Sequence, residues 1–70
     1  MISYQRALNA HSMAVAARNR AKTKFTKHHA LAVQFRALEI MLSEEPEKAA
    51  MNRELAEFWQ SEARRVRGAA

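Results

Sequence analysis

The chain has 70 residues, twelve Lys and Arg against seven acidic residues, a net charge of +5 and no cysteine. That length allows one domain with a small core; neither a disulfide nor a thiolate metal site can brace it, which leaves oligomerisation as the common support for so small a scaffold. One Gly, one Pro and no Asp supply too little turn chemistry for an all-β fold, whereas the abundant Ala, Leu, Met, Arg, Lys, Glu and Gln are strong helix formers, so the expected fold class is all-α.

Three helices are predicted, over about residues 3–20, 26–43 and 46–66, within a single helical domain spanning 1–70. They are expected to form a small antiparallel three-helix bundle or a helical hairpin, assembled as a homodimer. In the first helix Tyr4, Leu8, His11 and Val15 make one seam at four-three-four spacing. Ala7, Ala14 and Ala21 lie beside it, with Ala10 and Ala17 next. Small side chains of this kind let helix axes approach toward the short end of the usual ~8–10 Å range. Ser3 is the expected N-cap. The same seam continues into Arg18 and Lys22, so either the buried contact ends near Ala17 or the helix breaks. Nothing between Asn19 and Thr26 is Gly or Pro. Thr23 and Thr26 are the best caps there, and a bend or short connection is expected near residues 21–26. One unbroken helix from Ser3 to Leu42 is the competing reading.

The second helix carries Leu31, Phe35, Leu38 and Leu42 at the same four-three-four spacing. Val33 and Ile40 stand on its opposite side, and Ala30, Ala37 and Met41 fill a flank. Only His28, His29, Arg36, Glu39 and Ser43 make a polar wedge. A helix apolar nearly all round is buried by more than one neighbour, which makes this the central helix. Ser43-Glu44-Glu45-Pro46-Glu47 is the clearest boundary in the chain. Pro46 suits the first position of a helix, and the glutamates suit the positive end of its dipole. The third helix has a Met51, Leu55, Phe58 and Glu62 seam, widened by Trp59, Ala63 and Val66. Arg53 and Glu57 are placed for an outer i,i+4 pair, and Gly68 is the natural stop.

Charge is segregated along the chain. Residues 1–38 hold seven cations and no acid; all seven glutamates fall between Glu39 and Glu62, with only Lys48 and Arg53 among them; Arg64, Arg65 and Arg67 close the chain. Such a distribution speaks to partners rather than to fold. Arg6, Arg20, Lys24 and Lys27 are expected on the outer face of the first helix, if that helix runs so far, as a ridge able to track phosphates. Arg64, Arg65 and Arg67 would add a basic arm. The bland alternatives are a solvated face and internal pairing, with Glu54, Glu57 or Glu62 answering Arg18, Lys22 or His11. Met51, Phe58 and Trp59 are expected to pack as core, with Trp59 the most exposed of them. Tyr4 and Trp59 are the candidate anchors for a protein partner, because aromatic side chains dominate interface hot spots.

Catalysis is not expected. Without Cys or Asp the chain lacks the usual nucleophile and orienting acid. A single Gly near the C-terminus cannot build a phosphate-cradling loop. Adjacent His28 and His29 point about 100° apart on a helix, so they do not chelate as an i,i+4 pair would, and neither a metal nor another cofactor is expected. The absence of a ~20-residue apolar run argues against a membrane span, and no signal-like segment opens the chain, so a cytoplasmic location is the default. The leading expectation is a non-enzymatic nucleic-acid-binding or nucleic-acid-associated regulatory protein, with no membrane or small-molecule substrate. The alternative is an interaction module that docks on and modulates a larger protein.

Overall fold

The computed structural model describes residues 3–69. Helix α1 runs Tyr4–Arg20, α2 Lys24–Met41 and α3 Pro46–Ala69, with no strand among the described residues. Ser3 caps α1, its hydroxyl accepting from the Arg6 N–H at 3.3 Å. The chain then breaks without Gly or Pro. Ala21 and Thr23 take extended backbone angles, and a reciprocal capping box restarts the helix. The Thr26 N–H donates to the Thr23 hydroxyl at 3.1 Å, and the Thr23 N–H donates to the Thr26 hydroxyl at 3.4 Å. Threonine thus serves where Glu or Gln more often completes such a box. Hydroxyls that offer the backbone an alternative to the continuing helix are a sufficient cause for the break. The unbroken helix from Ser3 to Leu42 does not form. Because the cap sits at Thr23 rather than Thr26, α2 starts two residues earlier than the pattern predicts.

Leu42 closes α2, its N–H donating to the Leu38 carbonyl, and a turn leads to Pro46. The Glu45 carbonyl accepts the Ala49 N–H at 2.9 Å, which makes Pro46 the first residue of α3. Gly68 does not stop α3, which continues to Ala69. A glycine ends a helix by adopting a left-handed conformation, and the only glycine here keeps a negative φ.

Helix α2 is central. Both α1 and α3 pack on it, yet no Cα atom of α1 comes within 8 Å of one in α3. The α2–α3 pair is antiparallel, since Phe25, His28 and Glu39 meet Arg67, Trp59 and Arg53 in reverse order. The three-residue connection at 21–23 folds α1 back along α2 in the same sense. Buried side chains are Ala7 and Ala14 on α1, Ala30, Leu31 and Ala37 on α2, and Ala49, Ala56 and Ala63 on α3. The alanines recur every seven residues on each helix, the period that keeps one stripe facing a partner helix.

That core corrects the sequence reading. Of the four-three-four seams of large residues only Leu31 is fully buried; the other buried positions are the alanines beside the seams. Met51 is 60% exposed and Phe58 53%, whereas Trp59, expected to be the more exposed, is half-buried. Its ring packs 5.0 Å from His28 and edge-on to Phe58. Alanine contacts draw α3 in close, and a close helix leaves no room between axes for a side chain the size of Met or Phe.

Candidate nucleic-acid interface

Antiparallel packing sorts the charges by end. The α1–α2 corner carries Arg18, Arg20, Lys22, Lys24 and Lys27. The C-terminal turns of α3, with Arg64, Arg65 and Arg67, reach the same end, fixed there by the Arg67 guanidinium 5.6 Å above the Phe25 ring. Eight cations therefore converge from two segments almost forty residues apart, with Glu62 the one carboxylate among them. The ridge expected along α1 is not continuous. Because α1 ends at Arg20, Lys24 and Lys27 belong to α2, and Arg6 lies at the far end, fourteen residues or about 21 Å from Arg20 along the helix.

Several of these cations have a structural explanation. Arg18 and Arg20 stand in the last turn of α1, and Arg67 in that of α3, where the helix dipole favours positive charge. Arg18 also donates to the Gln34 side chain at 3.2 Å. Arg65 grips Glu62 with two hydrogen bonds of 2.9 Å, and this guanidinium holds the Glu62 carboxyl below its usual range. Glu62, expected with Glu54 and Glu57 to answer Arg18, Lys22 or His11, pairs instead with Arg65 within α3, and among the described residues Glu54 and Glu57 form no ion pair with Arg18, Lys22 or His11. The reason is geometric: α1 and α3 pack on α2, and their Cα atoms stay more than 8 Å apart.

Lys24 and Lys27 have no such explanation. They are exposed in the first turn of α2, which holds no acidic residue, and there the helix dipole disfavours cations. The capping box occupies the Thr26 N–H, and the Lys27 N–H bonds the Thr23 carbonyl. The N–H groups of Lys24 and Phe25 fall among those that a helix start leaves without an intrahelical acceptor. Helix-start N–H groups flanked by lysines form a ready site for an anion. Among the described residues, no carboxylate lies within ion-pair distance of Arg20, Lys22, Lys24, Lys27 or Arg64.

The opposite end is balanced. Glu39, half-buried on α2, accepts from Arg53 at 2.6 Å across to α3 and from Arg36 at 3.1 Å. The Arg53 hydrogen bond, reinforced by Arg36 and opposed by partial burial, keeps its carboxyl below the ordinary value of 4.5. Arg53 thereby pairs with a partner on another helix, and the Arg53–Glu57 pair expected within α3 does not form. Glu45 pairs with Lys48 at 3.0 Å. Tyr4, the other candidate anchor, is 60% exposed and shares a depression with Leu42, Pro46 and Arg53 at this end.

Between the ends, α1 and α3 border an apolar groove of about 370 Å³ floored by His29, Val33 and Ile40 of α2. Among the described residues, no group of three or more His or Glu side chains could hold a metal ion, and no helix is long and apolar enough to cross a membrane. Scans of protein-family models, of curated proteins and of solved structures return no match to this chain.

Proposed function

We propose that this protein is a non-enzymatic nucleic-acid-binding or nucleic-acid-associated regulatory protein whose basic end engages the phosphate backbone. The observation that carries this reading is the convergence of residues 18–27 with residues 64–67 at one end, where a helix start adds N–H donors. Lys24, Lys27, Lys22, Arg20 and Arg64 are the leading contacts. Arg67 joins them from its place over Phe25, and Arg65 contributes one hand while the other holds Glu62. Arg6 stands apart from this set. Contacts of these types position a protein on a phosphate backbone without reading sequence. The reading carries with it a cytoplasmic location and a homodimeric, antiparallel helical assembly.

The test is retention on heparin, followed by binding to duplex and single-stranded oligonucleotides at two salt concentrations. Affinity should fall steeply with salt, by about 0.9 in log K per log salt for each duplex phosphate neutralised. Absent binding at low salt, or binding indifferent to salt, would reject the reading. Preference between the two oligonucleotide forms identifies the substrate.

A second reading, docking on a larger protein, is favoured by the exposure of Tyr4, Met51 and Phe58. It predicts a stoichiometric complex that survives nuclease treatment and weakens on substitution of Tyr4. A complex lost with the nucleic acid would count against it.

A further inference from the structure

The three seams of large residues end on one side of the molecule. On α2, Leu31 and Leu38 lie opposite the Val33–Ile40 floor of the groove, at about 100° per residue. At the same angular spacing, Leu8 and Val15 of α1 and Leu55, Met51 and Phe58 of α3 fall on the side of their helices away from the groove-lining Ala10 and Gln60. Of this set only Leu31 is buried. Apolar side chains repeating at four-three-four spacing normally mark a surface that another helix covers; here the chain's own helices cover Leu8, Val15, Leu38 and Leu55 only in part and leave Met51 and Phe58 exposed.

The surface area carries the same message. The chain exposes 5229 Å², whereas a folded monomer of 8.0 kDa is expected to expose about 4,450 Å². The excess approaches the ~800 Å² that each partner contributes to a standard protein–protein interface.

We propose that a second copy of this chain covers the seam face in an isologous dimer, with Met51 and Phe58 of each copy packed against the other. Charge sets the orientation. A parallel stack would lay eight cations of one copy over eight of the other. An antiparallel stack instead lays the basic end of each copy over the charge-balanced end, where Glu39 and Glu45 are answered by Arg36, Arg53 and Lys48 and Glu44 and Glu47 stand beside them; it avoids that repulsion, and a two-fold axis across the helices produces it. The dimer then presents a basic end at each extremity and leaves the Val33 groove outside the interface. This inference stands without the nucleic-acid reading.

Sedimentation of the full chain, freed of nucleic acid and followed from micromolar to submillimolar concentration, tests it. The mass should rise reversibly to twice the 8.0 kDa of one chain. The double substitution M51K/F58K, at two exposed positions, should hold the protein at one chain mass with its helical circular dichroism unchanged. Val33→Lys should leave the dimer intact. Spin labels on Arg64→Cys, in a chain without other cysteines, should lie apart by a distance approaching the 39 Å long axis of the molecule. One chain mass at every concentration would overturn the proposal, as would a dimer that survives M51K/F58K or dissociates on Val33→Lys. Closely spaced labels would overturn the antiparallel orientation. Should M51K/F58K lose helicity, the mass of the unsubstituted chain and the Arg64 distance decide between the outcomes.

Discussion

The two ends of this molecule are built from the same residue types and arrive at opposite electrostatic states. At the α2–α3 corner, Glu39 is answered by Arg36 and Arg53, and Glu45 by Lys48. At the α1–α2 corner, Glu62 answers Arg65, and lysines stand at the positive end of a helix with no acid in its first turn. The first end is complete within the chain. The second accumulates like charge, and among the described residues only Arg65 there is in an ion pair. Salt bridges alone would not reveal this contrast, since exposed pairs of this kind contribute little to stability, roughly 0–1 kcal/mol. What matters is which cations remain after the pairs are assigned.

Charge reversal should separate the ends most sharply. Replacing Lys24 and Lys27 together by Glu should weaken binding to a duplex oligonucleotide at low salt by at least about tenfold and lower the salt slope by roughly two. Arg6→Glu, at the far end, should change neither by a comparable amount. Equal losses from both variants would mean that net charge, not the basic end, controls binding.

The alanine stripes that hold both ends in place give the next largest effect. Ala37→Leu or Ala56→Leu inserts a side chain where α2 meets its neighbours, and overpacking of this kind costs about 1–3 kcal/mol. For a domain of this size that corresponds to a fall in Tm of about 4–8 °C per kcal/mol. Met51→Leu, an apolar exchange at a position outside the contacts between the chain's own helices, should change thermal stability far less. A chain indifferent to Ala37→Leu would show that the alanines are not its core.

Loss of the corner cap should cost less. Thr23→Ala removes the hydroxyl that accepts from Thr26 and should destabilise the fold by about 1 kcal/mol, seen in thermal or urea melts. It should also loosen the first turn of α2, which carries Lys24 and Lys27, and so weaken oligonucleotide binding modestly. The smallest effect belongs to Glu39. Its folded-state carboxyl titrates below its ordinary value near 4.5, so the stability it contributes is present above that pH and is lost as the pH falls through the folded value. Glu39→Gln should therefore flatten the acid limb of the stability profile below about pH 4.5 and leave oligonucleotide binding at neutral pH unchanged.

Much of this was legible in the chain, and the misreadings have one source. Ser3, Thr23, Thr26 and Pro46 mark helix starts through local hydrogen bonding or ring geometry, and such signals survive any tertiary arrangement. The seam of Met51, Leu55 and Phe58 was equally visible, but periodicity reports that a face is apolar, not which neighbour covers it. Alanine is the ambiguous case. It favours helix everywhere, so a seven-residue alanine repeat reads as propensity until two helices are seen in contact through it. The same gap affected the basic residues. Residues 18–27 and 64–67 each looked basic, but only antiparallel packing brings them to one end and leaves Arg6 at the other. The sequence offers Arg53 only Glu57, one turn away, because Glu39, fourteen residues distant, becomes its partner only when α2 and α3 lie side by side.

On the proposed reading, one end of the bundle, not its overall charge, meets the phosphate backbone. A titration of the isotopically labelled chain with a short duplex oligonucleotide, followed by amide chemical shifts, tests this most directly. Amides of residues 20–28 and 63–67 should shift together and saturably, with those of Lys24 and Phe25 moving most, while residues 43–50 stay in place. Shifts spread evenly over the surface, or centred on the α2–α3 corner, would contradict it.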